Sequence, residues 1–426
     1  MSRLIAEPTV SLSRARNAVR GGLLGNFVDQ VDIFLPVIAL APAAAIVLGP
    51  DAAAAQTGLI FVATLLGRPL GAAIFGSLAD RHGRTRTTTA AIAGIAITTL
   101  LIALIPTHDV GGAATLWAFV ALRFVGGVFL GGEYSAAIPL AMEWTAPRRR
   151  GLLSGGIMAM SPLANAFIAG LTLILVQVLG PDAYAGWGWR MPFIAGALLA
   201  AAMLWYYVAG VDDAPISTTG ARRTRPLTAI LIGPFRRQLW QVFVLMTGLW
   251  LFTQMAIPVL TGMLREAPQV GPTTVPFIML IATLVSAAAM LSAGALSQRI
   301  GRRRFFVVFG AGALVAAPLA FAWALTSQGA AAVLAVTVVQ IVTVSAYGPV
   351  GAYLAERFPS AVRSSGYGVG YSLSLVVPAL FPFWLPWLQS ALGPVAAVMA
   401  VLAAASALLV IGAVLGPEPD RTAALK

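Results

Sequence analysis

Cysteine is absent from this chain of 426 residues, and histidine occurs only twice, as His82 and His108. Disulfides and thiolate metal sites are thereby excluded, and two histidines in expected loops make no metal site. Charge is scarce, at 10% of residues, where soluble proteins carry about 25%. Acids are the scarcer sign: 15 Asp and Glu stand against 27 Lys and Arg, for a formal net charge of +12. That excess does not mark a nucleic-acid partner, because it is scattered through short loops instead of gathered on one soluble element. Long polar stretches are missing too. The longest inside the chain, 211–237, is too short to hold a core, so no second soluble domain is expected. No P-loop is present, which excludes ATP as an energy source, and no cofactor is expected.

What fills the chain is apolar residue, 59% of the total, in runs of roughly 20, the length that crosses a bilayer as a helix. The pattern predicts an all-α integral membrane protein. Twelve spans are expected, at about 20–48, 56–79, 87–106, 112–145, 151–179 and 187–210, then 238–264, 272–297, 304–326, 329–355, 364–390 and 394–416. Arg3, Arg14, Arg16 and Arg20 precede the first run like the start of a signal peptide. Asp29 and Asp32 inside that run, and the spans that follow directly, make it an uncleaved first helix instead. Arg81, Arg84 and Arg86, then Arg148, Arg149 and Arg150, then Arg222, Arg223, Arg225, Arg236 and Arg237 fall on one side, as do Arg299, Arg302, Arg303, Arg304, Arg357 and Arg363. The opposite loops hold only Arg190 and Arg265. The positive-inside rule then expects both termini in the cytoplasm of a multi-pass protein in the plasma membrane, in a bacterium the inner one.

The chain repeats itself. Gly76-Ser77-Leu78-Ala79-Asp80-Arg81-His82-Gly83-Arg84 joins spans 2 and 3, and Gly294-Ala295-Leu296-Ser297-Gln298-Arg299-Ile300-Gly301-Arg302 joins spans 8 and 9. Glu143 stands seven residues before Arg150, as Glu356 does before Arg363, with Pro147 and Pro359 between them. Two matching junctions at equivalent places predict two six-helix bundles related by a pseudo-twofold axis along the membrane normal, with a cavity between them. The expected divisions are a cytoplasmic segment 1–19, a first bundle 20–210, a linker 211–237 holding Pro215, Gly220 and Pro226, a second bundle 238–416 and a tail 417–426. Asp80, Arg84, Glu143, Arg150, Glu356 and Arg363 are expected to gate the cytoplasmic side, Glu143 with the arginines that follow it and Glu356 with Arg363. Simple orientation by positive charge accounts for the same arginines, and both readings can hold together.

Ionisable groups inside the bilayer are costly and mark pathways. Five occur, all in the first half: Asp29 and Asp32 in span 1, Arg68 in span 2, Arg123 and Glu133 in span 4. Asp32 lies twelve residues past Arg20 and Arg68 twelve before Asp80, so both sit about 18 Å deep, and an Asp32–Arg68 ion pair is expected. Three acids against two arginines leave one acid without a cation, which is what a proton carrier needs. Asp29, Asp32 or Glu133 is expected in that role. The alternative is a permanent network of all five. Arg68 and Arg123 can bind a carboxylate bidentately, or be occupied by the chain's own acids. The second half offers neutral Gln254, Gln340 and Tyr347, with Gln30 in the first. These can orient a solute, though such groups also bond helix to helix. Gly67/Gly71, Gly127/Gly131, Gly151/Gly155 and Gly366/Gly370 predict close helix crossings.

The 76–84 loop and its echo resemble the loop signature of the major facilitator superfamily, and Arg123-Phe124-Val125-Gly126-Gly127 resembles its fourth-helix arginine motif. Gly25-Asn26-Phe27-Val28-Asp29-Gln30-Val31-Asp32, Arg68-Pro69-Leu70-Gly71, Gly131-Gly132-Glu133 and Tyr347-Gly348-Pro349 are similar to the metabolite:proton symporter family, with Gln30, Val31 and Ile33 where that family carries aromatics and Gln298 where it carries an aspartate. The resemblance implies the major facilitator fold. It also implies a non-enzymatic transporter that moves a small polar metabolite, an organic acid foremost or else a zwitterion such as proline or betaine, together with protons by alternating access. A proton-driven exporter of a drug or secreted metabolite is the rival reading. A monomer in the lipid bilayer is expected, with the solute and protons as its partners.

Overall fold

The computed structural model of the protein describes residues 12–49, 53–214, 225–267, 274–420 and 425, with backbone alone for 53–56. Eleven helices are long and apolar enough to cross a bilayer, and a pair bent by 47° makes a twelfth. The twelve spans are α1 Leu12–Leu48, α2 Thr57–His82, α3 Arg84–Ala103, α4 Ala113–Glu143, α5 Pro147–Leu179 and α6 Arg190–Gly210. The second set is α7 Arg236–Glu266, α8 Thr274–Ile300, α9 Arg302–Thr326, α10 Gly329–Arg357, α11 Ser360–Ala379 with Phe381–Leu392, and α12 Pro394–Val414. Arg222, Arg223, Pro215 and Gly220 of the linker lie outside the described residues, as does Arg3.

The first helix departs from its expected bounds for a local reason. The first helix starts at Leu12, earlier than expected, because Asn17 donates to the Gly210 carbonyl (2.9 Å) and Arg14 pairs with Asp212 (3.2 Å), tying it to the end of α6. It then breaks after Ile38, just past Pro36, before a short helix Ala44–Leu48. Other spans are interrupted inside their expected bounds. A wide turn at Met255–Val259 containing Pro258 interrupts α7. A tight turn at Val344–Tyr347 precedes Gly348-Pro349 in α10.

The helix neighbours repeat with an offset of six. Helix α2 packs on α4 as α8 does on α10; α3 packs on α4 and α6 as α9 does on α10 and α12; α1 packs on α5 and α6 as α7 does on α11 and α12. The molecule is therefore two six-helix bundles with the same internal plan. The bundles meet where α2 packs on α11 and α5 on α8, which are themselves a symmetric pair of contacts. Large apolar side chains such as Trp117, Trp205, Phe383 and Trp387 face outward, as a lipid solvent permits.

Glycine sets the closest crossing. A methyl at Gly67 or Gly71 would strike the Phe124 or Val128 carbonyl of α4, and one at Gly127 or Gly131 the Thr64 or Arg68 carbonyl of α2. The backbones of α2 and α4 thus touch along two turns, which holds Arg68 and Glu133 in one layer.

Candidate functional site: intramembrane charges and the gate at the arginine-rich end

The five intramembrane charges separate into two groups. In the first, Arg123 Nη1 donates to both carboxylate oxygens of Asp32 (3.1 and 3.0 Å), and Nη2 donates to the Asp32 carbonyl (2.6 Å). Arg123 Nε donates to the Thr64 hydroxyl (3.1 Å), and the Thr99 hydroxyl donates to Asp32. The partners come from α1, α2, α3 and α4, all buried and all in one bundle. The expected Asp32–Arg68 pair does not form. Equal depth places two groups at one height but says nothing of the direction in which each helix points them, and α4 turns Arg123 toward Asp32 first.

In the second group, the carboxyl of Asp29 meets that of Glu133, with Arg68 the cation facing both. Glu133 fits because Gly25 of α1 has no side chain: a methyl there would strike its carboxyl. Both Glu133 oxygens and Asp29 Oδ2 lack a hydrogen-bond donor among the described residues. Two ionised carboxylates are acceptors only, so a proton between them is what turns their contact into a hydrogen bond.

Arg68 reaches from this pair to the other bundle. Its guanidinium carbon lies 5.3 Å from the ring centre of Tyr134 and 5.6 Å from that of Tyr371 on α11. Its Nε and Nη2 have no partner among the described residues, although the side chain is 1% exposed. Tyr134 and Tyr371 stack across the interface at 4.1 Å, Trp250 of α7 lies edge-on to Tyr371 (4.9 Å) and to Tyr347 (5.5 Å), and Trp250 Nε1 donates to the Tyr371 carbonyl (3.0 Å). Tyr347 thus joins the layer, its hydroxyl bonded to Thr253 (3.2 Å). The other neutral candidates are placed differently. Gln30 accepts from Ser161 of α5 (2.7 Å), Gln340 reaches Thr283 of α8 (3.5 Å), and Gln254 is buried just before the wide turn of α7.

At the arginine-rich end the bundles are latched. The Asp80 carboxylate accepts from the backbone N–H groups of Ser364 (2.9 Å) and Ser365 (2.8 Å), in the first helical turn after Arg363. Arg84 donates to the Ser364 hydroxyl (3.0 Å) and the Ser360 carbonyl (3.3 Å). Glu143 bridges Arg84 and Arg363, so its partners include an arginine of the opposite bundle. This corrects the expected pairing of each glutamate with the arginine that follows it. Glu356 pairs with Arg302 (3.2 Å) and faces Arg150 of the other bundle. Arg150 and Arg363 instead turn back on the carbonyls that end the preceding helix, Arg150 on Met142 (3.3 Å) and Arg363 on Ala355 and Phe358 (3.0 and 3.1 Å). Gln298, at the position equivalent to Asp80, accepts from the Gly151 N–H (3.0 Å) and from Arg302 (2.7 Å). Ser154 closes the same face, donating to the Gly348 carbonyl (2.6 Å) and accepting from the Ala352 N–H (3.1 Å).

Sequence reasoning missed two carboxylates here. Asp213 accepts from the N–H groups of Arg84 and Thr85 (2.9 and 2.8 Å), and Glu418 from those of Arg302 and Arg303 (2.6 and 3.1 Å). Each caps the helix after the repeated loop, where Gly83 and Gly301 hold φ of 101° and 111°. The available signal was an acid just past the sixth helix of each half.

The Major Facilitator Superfamily model matches residues 22–382 and 252–425 of the chain. The inner membrane metabolite transport protein YhjE of Escherichia coli is 30% identical over 95% of this chain and 94% of its own. The alpha-ketoglutarate permease of the same organism is 27% identical over 75% of this chain and 74% of its own. Among solved structures, the proton:xylose symporter XylE bound to 6-bromo-6-deoxy-D-glucose superposes with a TM-score of 0.76 at 16% identity, covering 94% of this chain and 95% of that one. Twelve spans in two matched bundles, a latched arginine-rich end and these likenesses lead to one assignment: the chain belongs to the major facilitator superfamily and is a multi-pass membrane transporter, not an enzyme.

Proposed function

We propose that the chain is a proton-coupled symporter for a small carboxylate-bearing metabolite, that it works by alternating access in a bacterial inner membrane, and that its arginine-rich end faces the cytoplasm. The carrying observation is the layer in which the Asp29–Glu133 pair sits beside Arg68, and Arg68 beside Tyr371 of the other bundle. Proton, solute and moving interface then share one cation. Asp32 is set aside as proton carrier because Arg123 and Thr99 already satisfy it. Arg123 is set aside as a solute ligand for the same reason. Arg68 retains two donor nitrogens for an incoming carboxylate, in a dry site where such a bond is strong. The names of the relatives, a metabolite transport protein and a permease for a keto acid, support the same class.

The places where the bundles touch support the alternating-access reading. Asp80, Arg84, Glu143 and Arg363 hold the arginine-rich end shut, and Arg68 is buried, so this is read as a closed state from which the bundles part at either end in turn. A carboxylate that binds Arg68 competes with Asp29 and Glu133 for its charge, which ties the proton on that pair to occupancy. The bundles then rock, the latch breaks, and solute and proton leave inward.

The test is uptake by proteoliposomes of labelled oxoglutarate, shikimate and benzoate under an imposed proton gradient, with ethidium as an export probe. One acid should accumulate, and a protonophore should abolish the accumulation. Arg68→Lys should weaken its binding by about tenfold, because a point charge cannot replace the planar fork. Gradient-independent uptake of all the acids, or pumping of ethidium alone, overturns the reading.

A further inference from the structure

The stripe of α1 that carries Asp29 continues toward the arginine-rich end at four-residue steps as Gly25, Gly21 and Asn17, so the four positions share one helix face. Side chains of other helices enter both glycine notches. At Gly25 it is the Glu133 carboxyl of α4, and at Gly21 it is the hydroxyl end of Tyr207 from α6. Tyr207 is 1% exposed, and its hydroxyl has no hydrogen-bond partner among the described residues. Such a buried hydroxyl costs stability unless something uses it. The charged groups that face it are Glu133 and Asp29, with the Tyr206 phenol beside it. The notches are one helical turn apart, about 6 Å between Cβ positions. The flexible Met203 side chain of α6 also reaches the Gly25 notch, and its displacement would admit a water between the two groups. Beyond Tyr207, Asn17 is half-buried and bonded to the end of α6, where the chain reaches solvent.

From this geometry we infer that Tyr207 is the relay through which the Asp29–Glu133 pair exchanges its proton with the cytoplasm, along a groove between α1, α4 and α6 that is separate from the solute path between the bundles. In one step the pair's carboxyl O–H bond breaks as its proton passes, through one water, to the Tyr207 oxygen. The phenolic proton leaves at the same time to a second water toward Asn17, so Tyr207 ends as neutral as it began. The inference rests on the proton-coupled reading given above and adds the exit. A relay of this kind lets the proton leave while Asp80, Arg84 and Glu143 still bar the solute. Tyr207 is a positioning and relay group here and touches no solute.

The test uses the full chain, inserted in one orientation into proteoliposomes and free of any solute. The infrared carboxylic-acid stretch of the pair is followed after a rapid pH change on one face. It is assigned by its loss in Asp29→Asn and Glu133→Gln. Tyr207→Phe removes one oxygen and keeps the ring, and Gly21→Val fills the notch while keeping the hydroxyl. Both should slow the response to a change on the arginine-rich face by at least about tenfold, and leave the response from the opposite face and the equilibrium pH dependence unchanged. An unchanged rate in Tyr207→Phe overturns the relay while leaving the proton-carrying pair standing. A shift in the equilibrium titration with no change in rate assigns Tyr207 a packing role and also overturns it. A wild type with no titrating carboxyl signal overturns the pair and the relay together.

Discussion

At the scale of single residues, the two arginines of the membrane interior have opposite employment. Arg123 spends its hydrogen-bonding capacity on Asp32 and Thr64, while Arg68 keeps two nitrogens without partners and lies on aromatic faces. Arg123→Gln should therefore act on stability: it strands a buried carboxylate and costs about 3–5 kcal/mol, visible as a lower melting temperature in detergent. Adding Asp32→Asn should restore much of that loss, since the pair is then removed whole. Sequence reasoning found all five charged residues, because ionisable groups in apolar runs stand out. It did not find their pairing. Spacing along a helix fixes height, whereas the partner depends on which way each helix is turned, and that is decided by packing such as the α2–α4 crossing. Tyr134, Tyr371 and Tyr207 escaped notice because an aromatic in a membrane span looks like any other apolar side chain until its neighbours are known.

At the scale of elements, glycine decides which helices can carry the site. The backbones of α2 and α4 meet through Gly67, Gly71, Gly127 and Gly131. Gly131→Ala should push α4 off the Arg68 carbonyl and cost about 1–3 kcal/mol, by the overpacking argument. Gly170→Ala on α5, which has open space around it, should leave the melting temperature within error or raise it slightly. The four-residue glycine spacings made this crossing legible in the sequence, and the twelve spans were legible from length and apolarity alone. The interruptions in α7 and α10 were not, although Pro258 and Pro349 mark both places. Proline removes one hydrogen bond, and the surrounding helices determine whether the chain kinks, widens or carries on.

At the scale of the whole molecule, the two bundles share a plan but not a charge distribution: buried membrane acids and their arginines belong to the first, and the second contributes rings and neutral groups. Glu143 ties the bundles together at the arginine-rich end, bridging Arg84 of its own bundle and Arg363 of the other. Glu143→Gln should loosen the latch and favour a state open at the arginine-rich end. The absence of cysteine gives a clean readout, since a single Ala72→Cys, buried opposite Gly368, is the only thiol to label. Its modification by a membrane-impermeant maleimide from the arginine-rich face should rise several-fold in the Glu143→Gln background; equal rates would exclude the latch role. The pseudo-twofold plan was readable from the repeated loops. The partners of Glu143 and Glu356 were not, because each glutamate has an arginine close by in sequence, whereas Arg84 and Arg302 reach them through packing within a bundle and Arg363 reaches Glu143 only through the docking of the two.

The Arg123–Asp32 clamp has one more consequence. It rivets α1 to α4, the two helices that carry Asp29 and Glu133, and Thr64 and Thr99 add α2 and α3 to the same block. In the proposed cycle, rocking of the bundles would leave those acids together, so their separation would not be the variable that carries the coupling. What changes is the reach of one side chain, because Arg68 is rooted in the block and leans on a ring outside it. In the proposed cycle, the lean of Arg68 on Tyr371 is therefore the contact through which the acid pair would sense the second bundle.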